Sequence, residues 1–154
     1  MSFILKILPF IALLLFGCNQ QKDFIQVESP NEEINVQIRK QKNNFIYNVN
    51  FKGKRIILNS KIGLIFKNGF EFPSHHNLKK VEKGFHKDTW ELPWGEKKIV
   101  KDTYNEIIIS FINTNNLEAG RMLFRAYDDG IAFRYQMNDN NKNQDSLIII
   151  NEIT

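Results

Sequence analysis

A single cysteine, Cys18, is present among 154 residues, so no disulfide can form within the chain. There are three histidines, and two of them, His75 and His76, are adjacent. Neighbours in an extended chain point to opposite faces, so this pair is poorly placed to chelate one metal ion and reads as loop sequence. No Gly-rich phosphate loop, HExxH, GxSxG or CxxC pattern occurs, which removes nucleotide binding, zinc proteolysis and serine hydrolase chemistry of those types. Basic residues outnumber acidic ones by a net +4, yet they are scattered: Lys79-Lys80 and Lys97-Lys98 are the only adjacent Lys pairs. A surface that tracks phosphates needs clustered charge, so no nucleic-acid partner is expected. The longest apolar run, Ile7 to Phe16, is too short to cross a bilayer as a helix. Also missing is any segment of ten or more residues with a helical hydrophobic period; the weak candidate around Leu117 to Met122 is opposed by Gly120.

What is present is alternation. Short runs rich in branched and aromatic residues follow one another at spacings of roughly ten residues, with turn residues between them, and this predicts an all-β sandwich of antiparallel sheets. About eleven strands are expected. Ile34, Val36 and Ile38 share one face, as do Phe45, Tyr47, Val49 and Phe51, with Lys40 to Asn44 as the hairpin loop. Lys52-Gly53-Lys54 reads as a tight turn into Arg55 to Leu58, and Lys61 to Phe66 as a separate strand. Asn77 to Glu82 and Asp88 to Leu92 are weaker, with Gly84 breaking the pattern between them; Asn105 to Ile112 is strong. Thirteen Phe against two Trp and four Tyr predict a core built from Phe, Ile, Val and Leu.

The organising stretch is Arg121 to Met137, read as a β-hairpin. Asp129-Gly130 supplies the pair that tolerates positive φ at both centres of a type I′ turn. That loop sets Arg125 opposite Arg134 and places Met122, Phe124 and Ala126 on one face with Ile131, Phe133, Tyr135 and Met137. Two guanidiniums directly across a strand pair repel, so carboxylates are needed nearby, with Asp128, Glu106 and Glu118 as candidates. A structural ion-pair cluster and an anion-reading arginine pair are the two interpretations.

At the start of the chain, Lys6, the apolar run and Gly17 have the layout of a secretory leader, and Leu15-Phe16-Gly17-Cys18 resembles the bacterial lipobox. The expectation is a signal peptide over 1–18 with Cys18 lipidated, a polar tether over 19–24 and a folded domain over 25–154. Membrane contact is then through the lipid anchor alone, at a bacterial envelope, as a periplasmic or outer-membrane lipoprotein. The most unusual composition is Trp90-Glu91-Leu92-Pro93-Trp94-Gly95-Glu96, an aromatic corner stiffened by Pro. It reads either as a platform for stacking on sugar rings, with Trp90 and Trp94 as substrate-binding residues, or as a corner buried in the core or against another domain.

Five motifs in order carry a resemblance. They are Ser29-Pro30-Asn31 before a strand, Asn59-Ser60-Lys61-Ile62-Gly63-Leu64, Asp88-Thr89-Trp90 with Pro93-Trp94-Gly95-Glu96, Tyr104-Asn105-Glu106, and Phe124 through Tyr135. Together they resemble the N-terminal domain of glycoside hydrolase family 97 from about Val27 to the last residue. The resemblance implies a galactose mutarotase-like β-super-sandwich, followed in the whole enzyme by a catalytic (β/α)8 barrel and a small β-domain. It implies an exo-acting α-glucosidase or α-galactosidase of a bacterial envelope, with an α-linked oligosaccharide as substrate and a calcium ion near the reacting sugar. The barrel would hold the paired carboxylates, so no catalytic residue is expected here and the chain reads as a fragment or a truncated product. Asn151-Glu152-Ile153-Thr154 is similar to the family's Ser-Glu-x-Thr segment, which makes Glu152 the candidate calcium ligand. A stand-alone carbohydrate-binding surface lipoprotein is the alternative.

Overall fold

In the computed structural model, residues 24–94 and 99–138 are described in full and residues 149–153 as backbone. Ten strands and no helix occur among them: β1 (Ile25–Glu28), β2 (Ile34–Gln41), β3 (Asn44–Phe51), β4 (Lys54–Phe66), β5 (Glu71–Phe72), β6 (Asn77–Glu91), β7 (Ile99–Ile112), β8 (Glu118–Tyr127), β9 (Ile131–Met137) and β10 (Ile149–Ile153). All pairings are antiparallel. One sheet runs β1-β2-β3-β4-β10 with β5 added beside β4, and the other runs β6-β7-β8-β9. The all-β sandwich expected from alternation is therefore the fold.

The period of two decides which residues meet between the sheets. Val36, Ile38, Phe45, Tyr47 and Val49 from the first sheet and Ile107, Ile109, Phe111, Met122, Phe124 and Ala126 from the second are all buried in one cluster. Aromatic edges lock the layers together: Phe45 meets Phe111 at 5.0 Å between ring centres and Phe72 meets Phe111 at 5.3 Å, both edge to face. Phe72, from the short strand that the sequence did not reveal, is wholly buried.

Several predicted boundaries change, each for a local reason. The two runs Arg55–Leu58 and Lys61–Phe66 are one strand, β4, which bulges rather than turning at Asn59. Asn59 takes φ 51°, a left-handed value that Asn tolerates, and its N–H donates to Asn48 Oδ1 at 2.6 Å. Gly84 does not break β6, because its backbone still pairs opposite Glu106 and a glycine keeps its amide donor. The positive-φ pair of a type I′ turn is found at Lys52-Gly53 (φ 49° and 76°), between Phe51 and Lys54.

The central hairpin departs from the predicted register. Ala126 pairs with Ile131 and Arg125 with Ala132, and the Tyr127 N–H donates to Gly130 O at 2.8 Å, so Asp128-Asp129 form the loop. A reason lies outside the hairpin: Asp128 Oδ1 accepts the Asn31 N–H at 2.8 Å from the β1–β2 connection, which holds that residue in the turn. The shift is by two residues, so the predicted division of faces survives while the two arginines separate. Arg134 now stands opposite Leu123.

Candidate functional site

The outer face of the second sheet is built from cross-strand rows. His86, Tyr104 and Tyr127 form one row across β6, β7 and β8; Gly84, Glu106, Arg125 and Ala132 form the next across β6 to β9. Because directly opposed side chains lie close together, the rows stack into a single cluster. The Arg125 Nε–H donates to Glu106 Oε2 at 2.7 Å, and its guanidinium lies 4.3 Å from the centre of the Tyr104 ring. His86 stacks on the other side of the system, 4.8 Å from Tyr104, while its Nε2 is 3.4 Å from Asp102 Oδ2. Tyr127 completes the group at 5.0 Å from Tyr104.

Of the three carboxylates predicted to serve Arg125, Glu106 does so. Glu118 instead accepts from Arg121 Nε at 2.8 Å and lies 3.3 Å from Lys79 Nζ. The hydrogen bond from Arg121, and after it that from Lys79, hold the Glu118 carboxyl below its ordinary range. The structural interpretation of Arg125 is supported by this geometry, since its charge is already matched by Glu106 and a ring face. That hydrogen bond with Glu106 is also what raises the Arg125 guanidinium above its usual value, against the effect of burial.

Tyr104 is pushed above the ordinary tyrosine range, first by burial, while the Arg125 cation pulls the other way. Arg125→Gln removes that cation and leaves an amide donor for Glu106. The Tyr104 phenolate transition is then expected to move higher still, read by ultraviolet titration in alkali; an unchanged or lowered transition would show that the stacked cation is not felt.

Trp90 stands opposite Val100 near the end of the β6–β7 ladder, and Trp94 follows β6. Neither indole is in the core: Trp90 is 45% exposed and Trp94 83%. Burial within the sandwich is thus ruled out for the corner as it stands in this chain. Gly95 and Glu96 lie outside the described residues, as do Cys18 and the whole of 1–23. Glu152 is on β10 opposite Leu64; its side chain is likewise outside what is described. No group of three or more His, Cys, Asp or Glu side chains arranged to hold a metal occurs among the described residues.

Two concavities accompany these features. One of about 200 Å³ lies between β1 and the β6–β7 pair, lined by Gln26, Glu28, Lys83, Asn105 and Glu106 among others. A second of about 440 Å³ lies among Glu28, Glu33, Asn35, Asn50 and Arg55. The first is smaller than ordinary ligand sites. The motif residues around it serve the fold: Asn105 Nδ2 donates to Glu28 O at 2.7 Å, and Ser29 Oγ donates to Asn31 Oδ1 at 2.6 Å while accepting the Ile34 N–H.

A sandwich whose ordered motifs fasten strands rather than assemble an active site is compatible with many families, and comparison decides among them. The family model for "Glycosyl-hydrolase 97 N-terminal" matches residues 27–154. The chain belongs to glycoside hydrolase family 97. Among solved structures, a substituted family 97 enzyme from Pseudoalteromonas sp. strain K8 in complex with panose is similar at 28% identity and a TM-score of 0.73, covering 84% of this chain and 20% of that one. A family 97 enzyme from the same strain in complex with acarbose matches at 29% identity and a TM-score of 0.73, covering 83% and 19%. A beta-arabinopyranosidase shares the fold at a TM-score of 0.71 and 19% identity, covering 83% and 20%. The chain thus spans about a fifth of the length of these family 97 enzymes.

The interlocking of His86, Tyr104 and Arg125 was missed from sequence. The available signal was the Tyr104-Asn105-Glu106 motif, which acquires meaning only once β7 and β8 are set in register.

Proposed function

We propose that this chain is the N-terminal domain of an envelope-anchored, exo-acting α-glycosidase, an α-glucosidase or α-galactosidase. In this reading it forms one side of the active-site cleft and does not catalyse alone. The observation that carries it is the family match over residues 27–154 together with the likeness to family 97 enzymes that hold panose or acarbose. Hydrolysis of a glycosidic bond needs two positioned carboxyl groups. Glu106 is engaged by Arg125 and Glu118 by Arg121 and Lys79, so the pair is assigned to the remainder of the enzyme.

The cofactor of this reading is calcium, shared with that remainder. A hard cation takes six to eight oxygen ligands. One carboxylate from an outer strand fits as a single member of such a set, and Glu152 is that member. When bound, the ion supplies positive charge beside the reacting sugar; the chain's own part is to present Glu152 at the end of β10 and to hold that strand against β4. Cys18 is proposed as the lipidated residue that tethers the protein to the membrane, by the lipid alone.

The reading is tested by cloning the complete reading frame and assaying release of monosaccharide from panose and from an α-galactoside. Hydrolysis of one of them by the full-length protein, and none by a product ending at residue 154, is expected. A full-length protein that turns over neither, or a reading frame that ends at residue 154, would overturn it.

The exposure of both indoles favours a second reading, a carbohydrate-binding lipoprotein in which Trp90 and Trp94 stack on sugar rings. It predicts oligosaccharide binding that disappears when both are replaced by alanine.

A further inference from the structure

The ladder between β6 and β7 outruns its neighbours. β8 pairs with β7 only as far as Tyr104 opposite Tyr127, yet β6 and β7 continue through Lys87–Thr103, Asp88–Asp102, Thr89–Lys101 and Trp90–Val100 to Glu91–Ile99. The result is a two-stranded arm that leaves the sandwich. An isolated two-stranded hairpin is marginally stable in water, and polar side chains are what such an arm would need if it stood alone. This one sets large exposed apolar groups among its polar ones: Phe85 at its root is 63% exposed, Ile99 55%, Trp90 45%, and Leu92 and Trp94 continue the series at the tip. By alternation Phe85 and Ile99 share the face of Ile107 and Ile109, whereas Trp90 and Val100 share the face of Tyr104. Apolar groups on both faces describe an arm inserted between surfaces, not one laid flat on a single surface.

We infer that this arm is the docking element that seats the domain against the remainder of its own polypeptide, with Phe85, Trp90 and Ile99 as the anchors. The inference deepens the reading proposed above and rests on it. Length argues for that occupant, because the segment covers only 20% of the related family 97 enzyme, so about four times as much folded chain is tethered to it there. Tethering makes docking intramolecular, at an effective concentration no free partner matches. Charge defines the covering surface further. Asp88 and Asp102 face each other across the ladder beside Trp90, and like charges so placed repel. The Asp88 carboxylate accepts the Thr89 N–H at 2.7 Å and Asp102 lies 3.4 Å from His86 Nε2. The Trp90 face is accordingly matched by an apolar patch flanked by hydrogen-bond donors or cations, and the Phe85 and Ile99 face, which also carries Lys87 and Lys101, by an apolar patch with acceptors.

The test is hydroxyl-radical footprinting of the full-length enzyme without sugar, with a Trp90→Lys/Ile99→Lys variant in parallel. Oxidation of Phe85 and Trp90 is expected to be at least tenfold slower than in the same protein unfolded in urea. The variant is expected to lose that protection at Phe85 and to split a single thermal transition into two. Free oxidation of Phe85 and Trp90 in the native enzyme overturns the inference. So does protection that appears only on adding panose, which marks a sugar platform, or only at concentrations where light scattering shows self-association, which marks a second copy. Hydrolysis of panose is read separately: a protected arm in a protein without glycosidase activity sinks the functional reading and leaves the docking, while an active enzyme with a free arm does the reverse.

Discussion

Phe72→Ala is expected to cost about 3–5 kcal/mol of folding stability, the range for emptying a buried aromatic position. Phe72 is wholly buried although its strand has only two residues, and its ring touches three elements: it lies 5.3 Å from Phe111 of β7, 6.3 Å from Tyr135 of β9 and 5.6 Å from His76 in the connection before β6. Removing it opens a void where the two sheets meet, and the neighbours cannot easily collapse into it. Gly120 shows how tightly the site is filled, since a Cβ there would stand 3.2 Å from the Phe72 ring and 2.7 Å from Gln136 O. Urea unfolding followed by circular dichroism checks the figure. Phe85→Ala is the control, because its ring is largely exposed in this chain; equal losses for the two would mean that the cluster around Phe72 is not the centre of the fold.

The second large effect concerns the ion proposed above. Glu152→Gln in the full-length enzyme is expected to weaken calcium binding by at least tenfold, because even groups that only support a metal's ligands are worth about 10–100-fold. The substitution keeps shape and removes charge, so the loss reports on the carboxylate. Isothermal titration of the chelator-stripped enzyme with calcium gives the affinity, and panose hydrolysis should recover in the variant as calcium is raised. Affinity equal to that of the unsubstituted enzyme would remove Glu152 from the ligand set.

Strand character and the shared faces of strand residues were legible in the sequence because period-two alternation is a local property. Met122, Phe124 and Ala126 share one face as read, and that face is buried, as are Ile107, Ile109 and Phe111 on the neighbouring strand. What was not legible depended on distant partners. The hairpin register turned on an amide donated by Asn31, 97 positions away from Asp128, which no inspection of Asp129-Gly130 could reveal. The two-residue strand β5 is too short to alternate, so Phe72 gave no periodic signal. Arg125 was correctly given a carboxylate, but its ring partner Tyr104 became visible only when the rows of the second sheet were aligned. Two of the family motifs hold connections that local pattern alone cannot show: Ser29 and Asn31 close the β1–β2 connection, and Asn105 ties β7 to β1.

One last property follows from β6, which borders its sheet along a 15-residue margin. An unpaired backbone of that length is a template on which a stray polypeptide could add itself. Lys79, Lys80, Lys83 and Lys87 are spaced along this rim, and their ammonium groups make it costly for another molecule to zip alongside. The longest seam of the described fold is thereby guarded against edge-to-edge aggregation while many copies fold side by side.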